Sequence, residues 1–246
     1  MKKLSLFVAL MAFGAPTLQA EVLNSNFKVA AGYWMESGSG SEENNQGDET
    51  VIIAEYRAKT DWGSSVVRGL IENIGGTNES PNGMTITTLK TFSTTYVDIG
   101  DSPFSVWLDH MTVGNNKIAD NHVRAGISYK NKFGPVRFST QFAPEYYFGH
   151  SPFDDAKGMH LFGRTILSYD LTDNIKQAFI FENVNFRNND IQDGIGWKEH
   201  GYHYMLNTSF GVTEAITANL QLHHFESFGG YGTDGNSIFV NFSYNM

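Results

Sequence analysis

In the segment EYRAK, the charged residues Glu55, Arg57 and Lys59 alternate with Tyr56 and Ala58. A spacing of two puts all three on one face of an extended strand, because successive side chains point to opposite sides. The same parity recurs along the chain. Arg124 and Lys130 share a face with His122 and Ser128, and Arg137 shares one with Glu145 and Tyr147. Arg164, Asp170 and Lys176 complete a set of ten charges in which cations outnumber carboxylates by seven to three. Charges that line a narrow aqueous passage filter solutes, since one sign raises the local concentration of its counter-ion. Such a lining implies a mild preference for anions or polar neutral solutes. Opposite charges on neighbouring strands would instead pair and fill the space, and a constricted path between such pairs satisfies both readings.

Tyr147, Phe162, Phe225 and Phe239 fall on the same faces. A ring in a polar tube can stack on a base or a sugar, at about 1–3 kcal/mol per base. The simpler role is packing near the end of a strand. His122, His160, His203 and His223 also have inward parity, and they raise the question of hydrolysis. A lipase at a membrane boundary needs a Ser–His pair on the outward surface, so inward parity is the wrong side. No G-x-S-x-G nucleophile motif occurs. His223 and His224 are adjacent and face opposite ways in a strand, which makes them poor joint metal ligands. The acidic segment ESGSGSEENNQGDE (36–49) lacks EF-hand spacing. The expectation is no enzyme, no cofactor and no metal.

The elements that position these residues show two-residue periodicity almost throughout and helical periodicity almost nowhere. Twelve strands are predicted: 25–35, 50–60, 64–75, 85–99, 104–114, 121–131, 135–149, 159–171, 175–187, 201–212, 216–229 and 237–246. Their length suits tilted membrane strands of ~9–11 residues better than the ~5–6 of a soluble sandwich. Short connections (61–64, 100–103, 131–134, 171–174, 212–215) alternate with long ones (36–49, 75–84, 114–120, 150–158, 188–200, 229–236). Short periplasmic turns and longer external loops are the pattern of outer-membrane barrels. The predicted fold is all-β, a twelve-stranded antiparallel transmembrane β-barrel over 21–246, with both ends of the chain on the periplasmic side.

The faces agree with that fold. Val123, Ala125, Ile127 and Tyr129 lie opposite His122, Arg124, Ser128 and Lys130, while Ile216, Ala218, Leu220 and Leu222 lie opposite Thr217, Asn219, Gln221 and His223. A lipocalin-like barrel would need the reverse arrangement. Mixed charges on the polar faces and the strand length favour lipid outside. So do aromatics near strand ends (Tyr33, Trp34, Trp62, Trp107, Tyr146, Tyr202, Tyr204), as in interface girdles. Strands 64–75, 85–99 and 175–187 alternate poorly, and their facing is not legible.

Residues 1–20 read as a secretory signal peptide: Lys2 and Lys3, then an apolar stretch from Leu4 to Phe13, then small residues up to Ala20. The chain has no cysteine, so a disulfide framework is excluded. A formal charge of −9 argues against nucleic acid as a partner. The chain ends SIFVNFSYNM, with Ile238, Val240, Phe242, Tyr244 and Met246 on one face and Phe239, Asn241, Ser243 and Asn245 on the other. Pairing of this strand with 25–35 would close the barrel and remove both free edges.

Several stretches resemble known families. The closing FVNFSYNM is similar to the C-terminal signal read by the barrel-insertion machinery, with Met246 where that signal usually has Phe. The segment EYRAKTDWGSSVVRGLIEN (55–73) resembles the nucleoside-specific Tsx channels, with Glu55, Lys59, Asp61, Trp62 and Gly63 in matching places. Its second strand is rich in Val and Leu, whereas theirs is rich in Phe. The opening KVAAGYW (28–34) resembles the small oligogalacturonate- and sialic-acid-type porins. These resemblances imply a channel in the outer membrane of a Gram-negative bacterium, with lipid and a small polar solute as partners. Nucleosides are the first expected solute and acidic oligosaccharides the second. The lumen-lining residues expected to act are Glu55, Arg57, Lys59, Arg124, Lys130, Arg137, Glu145, Tyr147, Arg164, Asp170, His203 and His223. A barrel that conducts nothing, serving as a structural protein or surface receptor, is the alternative.

Overall fold

The computed structural model describes residues 21–37, 49–75, 87–150, 155–228 and 235–246. The predicted signal peptide, residues 38–48, 76–84, 151–154 and 229–234 of the predicted loops, and residues 85–86 of the predicted strand 85–99 lie outside the described residues. Twelve strands follow one another: β1 Val22–Ser37, β2 Glu49–Thr60, β3 Gly63–Glu72, β4 Thr88–Asp98, β5 Phe104–Gly114 and β6 Ala119–Phe133. The second half comprises β7 Val136–His150, β8 Asp155–Thr172, β9 Ile175–Asn185, β10 Gly201–Gly211, β11 Ile216–Glu226 and β12 Gly235–Asn245. A helix, α1 (Asn189–Ile195), separates β9 from β10. Each strand pairs antiparallel with its neighbours in sequence, and β12 pairs with β1, so the sheet closes.

The seam runs from Lys28 opposite Asn245 to Ser37 opposite Asn236. Met246 extends it, since its N–H donates to the Phe27 carbonyl at 2.8 Å. The alternating end of the chain is thus paired along its length, and no strand edge is left open.

Local chemistry sets the turns. Thr60 opposite Gly63 leaves a two-residue turn at Asp61–Trp62, and Phe133 opposite Val136 leaves one at Gly134–Pro135. Gly134 adopts φ +59°, a left-handed conformation that costs glycine little. At the opposite, loop end, the connection between β5 and β6 is only 115–118, shorter than predicted. There the Asn115 side-chain oxygen accepts the backbone N–H groups of Lys117 (2.8 Å) and Ile118 (3.0 Å) and folds the loop back on itself.

Outward positions are apolar and exposed, as at Val123, Ile127, Phe142, Leu222 and Phe242. Inward positions bury polar groups, including Glu55, Asp109, Arg124, Gln141 and Glu182. A soluble barrel would reverse this arrangement. An apolar exterior on a closed sheet is the solution that a bilayer admits, because every backbone group is bonded within the sheet. Cross-strand pairing also settles the three illegible strands. Arg68 on β3 lies opposite Glu55, Phe92 on β4 opposite Arg68, and Glu182 on β9 opposite Arg164, so these residues face inward. Two of the predicted girdle aromatics are corrected: Trp34 and Trp107 also face inward. Trp34 packs on Phe239 at 5.1 Å between ring centres, and Trp107 is fully buried against Phe162.

Candidate functional site

The lumen is divided. The side formed by β5–β10 is packed with side chains, and a cavity of about 800 Å³ remains beside β1–β4.

Arg124 is central to the packed side. Its Nη1 donates to Asp109 Oδ2 at 2.6 Å, its Nε donates to Glu145, and its guanidinium lies 3.9 Å from the centre of the Phe162 ring. Glu145 Oε1 also meets His122 Nδ1 at 2.5 Å and His160 Nε2 at 2.9 Å. These contacts follow from register. Asp109, Arg124 and Glu145 are direct neighbours across β5, β6 and β7, and His160 opposes Glu145 from β8. Below them, Trp107, Ala143, Phe162 and Val184 form a buried apolar cluster. Gly126 stands opposite Trp107, where any Cβ would collide with the Phe142 carbonyl and with Ala143.

A second chain of contacts runs along β8–β11. Arg164 Nε donates to Glu182 Oε1 at 2.5 Å, and Glu182 Oε2 meets His203 Nδ1 at 2.7 Å. His203 Nε2 lies 3.0 Å from His223 Nδ1, and His223 Nε2 lies 3.2 Å from Gln221 Oε1. The relay therefore ends on an amide, where a hydrolase would place its nucleophile. His203 and Phe225 stack at 4.5 Å, which fixes the imidazole by packing.

The opposite wall carries a different device. Glu55 is 2% exposed and lies between Lys28 on β1 and Arg68 on β3. Its oxygens accept from Lys28 Nζ at 3.2 Å, Arg57 Nε at 2.7 Å and Arg68 Nε at 2.6 Å. Three cations around one carboxylate leave two positive charges in excess, and the cations reach into the lumen while the carboxylate stays buried. The cavity is lined by Arg57, Lys59, Arg68, Lys90, Lys130 and Arg164, against Glu72, Asp109 and Glu182. Lys90 pairs with Glu72 at 2.6 Å, and Lys130 sits 3.4 Å from the Tyr96 ring centre.

Of the residues selected from sequence, Arg57, Lys59, Lys130, Arg164 and His203 line the cavity. Glu55, Arg124, Glu145, Tyr147 and His223 face inward but are buried. Arg137 and Asp170 form an exposed bidentate pair (2.8 and 2.9 Å) at the turn end. Sequence reasoning missed Lys28, Arg68, Lys90, Asp109 and Glu182. A usable signal existed for Arg68: counting back from a two-residue turn at Asp61–Trp62 places it opposite Glu55. Phe162 and Phe225 lie within packed clusters, while Phe239 faces the cavity beside Trp34.

The segment 186–200, of which 188–200 is predicted as a long loop, folds into the loop-end mouth. Asn188 caps α1 by accepting the Ile191 N–H, and Gly196 ends it in a left-handed conformation. Ile191 and Trp197 bury against Tyr147 and Ala156, which point inward from β7 and β8. Arg187 fastens the segment: Nη1 donates to the carbonyls of Lys198 (2.8 Å) and Ser227 (2.9 Å), and the guanidinium lies 4.7 Å from the Trp197 ring centre. Burial pushes the Arg187 pKa down to about 10, against the opposing pull of Glu145, which leaves it charged at neutral pH. Arg187→Ala is expected to release the segment. The readout is faster proteolysis within 186–200 and a larger single-channel conductance, and unchanged values for both would show that the plug does not depend on this fastening.

No family model matches the chain, and no curated protein matches it either. Solved structures do. The NanC porin superposes with a TM-score of 0.58 at 12% identity, over 89% of this chain and 98% of that one. The KdgM porin in complex with oligogalacturonate gives 0.54 at 8% identity, over 88% and 98%. The COG4313 outer-membrane channel of Pseudomonas putida F1 gives 0.52 at 8% identity, over 94% and 99%. At such identities the likeness is one of architecture: the closed barrel of this chain is similar in fold to these outer-membrane porins and this channel.

Proposed function

We propose that the chain is a passive channel in the outer membrane of a Gram-negative bacterium, admitting small polar solutes and favouring anions. The observation that carries this reading is the buried Glu55, which gathers Lys28, Arg57 and Arg68 and presents the two arginines to the cavity. Fixed charges in a passage with low-dielectric walls act strongly, because the walls focus the field on the water path. The apolar exterior and the porin-like fold support the location. The oligogalacturonate in complex with the KdgM porin is a polyanion, opposite in sign to the cation excess found here. Export by the segment 1–20, and recognition of β12 by the barrel-insertion machinery, belong to the same proposal.

Nucleoside passage, suggested by the Tsx-like segment, is the second reading. Trp34 and Phe239, 5.1 Å apart, supply aromatic faces beside the cavity. The protein refolded into planar bilayers should give discrete conductance steps. Absence of steps would leave the structural or receptor barrel as the better account. Block by adenosine without block by glucuronate would favour the nucleoside reading over the anion reading.

A further inference from the structure

Two rows of apolar side chains line the cavity, one of them on strands β8–β10 beyond the buried clusters. Ile166, Ile180 and Met205 are direct cross-strand neighbours on β8, β9 and β10. Ile53 and Leu70 are neighbours on β2 and β3. All five are partly exposed and line the cavity. None is part of the buried clusters around Trp107 or Trp197. β3 and β9 stand six strands apart in a closed ring of twelve, so the rows occupy opposite walls.

Leaving apolar surface in water forgoes its burial, worth about 25 cal/mol per Å², and closure of the sheet does not require it. Polar side chains would line a general aqueous pore at least as well. The placement of the cations gives the rows a use. The Ile53–Leu70 row lies two residues along its strands from the Glu55–Arg68 row, on the same face, and Leu70 is also directly opposite Lys90. An anion held by these cations therefore has apolar surface next to it, with a second apolar surface across the passage.

We propose that, among small anions, the lumen prefers carboxylates that carry an aliphatic or aromatic group. The carboxylate is held by Arg57 and Arg68 as the apolar part passes between the two rows. The preference rests on the anion reading above and narrows it from charge alone to charge beside an apolar surface. Matching an apolar group to these rows removes both surfaces from water, which a polyhydroxylated ring cannot do without leaving its hydroxyls poorly hydrated.

The test uses the full-length barrel in planar bilayers at neutral pH. Reversal potentials are measured first in a KCl gradient, then with chloride on one side and either cyclohexanecarboxylate or glucuronate on the other. Both probes are monoanions on a six-membered ring, and neutral acid crossing the lipid carries no current. The expected result is that cyclohexanecarboxylate permeates about tenfold better than glucuronate, equivalent to ~1.4 kcal/mol. Equal permeation, or preference for glucuronate, overturns the proposal even where chloride is favoured over potassium. Loss of chloride selectivity in the first measurement overturns the anion reading itself, and the two failures are told apart by the step at which they appear. Leu70→Asn combined with Ile180→Asn, with folding checked by heat-modifiable migration on gels, should erase the difference between the probes. A difference that survives in the folded variant also overturns the proposal.

Discussion

Charge reversal at Arg57 and Arg68 should turn the passage from anion-selective to cation-selective. Around Glu55 the wild-type chain places Lys28, Arg57 and Arg68, a local excess of two positive charges. Arg57→Glu with Arg68→Glu leaves Lys28 facing three carboxylates, a local excess of two negative charges. The arginines are partly exposed to the cavity, with side-chain exposures of 55% and 39%, whereas Glu55 is at 1%, so the reversal is presented to the passage. The reversal potential in a KCl gradient should change sign. An unchanged sign would show that ions travel elsewhere. Arg57→Gln with Arg68→Gln should fall between the two and separates loss of positive charge from gain of negative charge.

The largest loss of stability is expected at Glu145. Its carboxylate meets Arg124, His122 and His160, and all four side chains are almost entirely buried. Glu145→Ala leaves the Arg124 charge with Asp109 alone and strips both imidazoles of a partner. Removing one member of a buried ion pair costs about 3–5 kcal/mol, because the remaining charge stays in a low-dielectric site without compensation. Urea unfolding in lipid vesicles, followed by gel migration, should show that loss. A change below about 1 kcal/mol, the size expected of an exposed pair, would show that the network does not hold the packed side together. The same geometry explains why Arg124, chosen from sequence as a lining residue, is a poor site for altering ion selectivity. Its guanidinium is held between Asp109 and Glu145 over Phe162, away from the cavity.

The twelve strands were legible because a half-apolar, half-polar strand has a two-residue period that nothing else imitates. Where that period faded, the cause is now visible. β3 and β4 place Val66, Leu70 and Phe92 inward, toward the cavity, and Ser65, Thr91, Ser93 and Thr95 outward, which inverts the usual signal. β9 likewise places Ile180 inward. Parity assigned Glu55, Arg57, Arg124 and Glu145 to the lumen correctly. It could not say who sits beside whom, because neighbours across strands depend on register, and register depends on turn lengths. Arg68 and Glu182 escaped for that reason. Trp34 and Trp107 were misplaced when nearness to a strand end was given more weight than their parity. The plug at 186–200 was missed because α1 has only seven residues and shows too little helical period to register. Its caps, Asn188 and Gly196, were its only local mark.

The proposed anion preference of the lumen rests on Glu55 and the cations gathered around it. The most direct measurement is the zero-current potential of the wild-type barrel across a planar bilayer separating two KCl concentrations. The expected potential has the sign set by chloride and shrinks as salt rises and screens the exposed guanidinium groups. A potential of the sign set by potassium would contradict it.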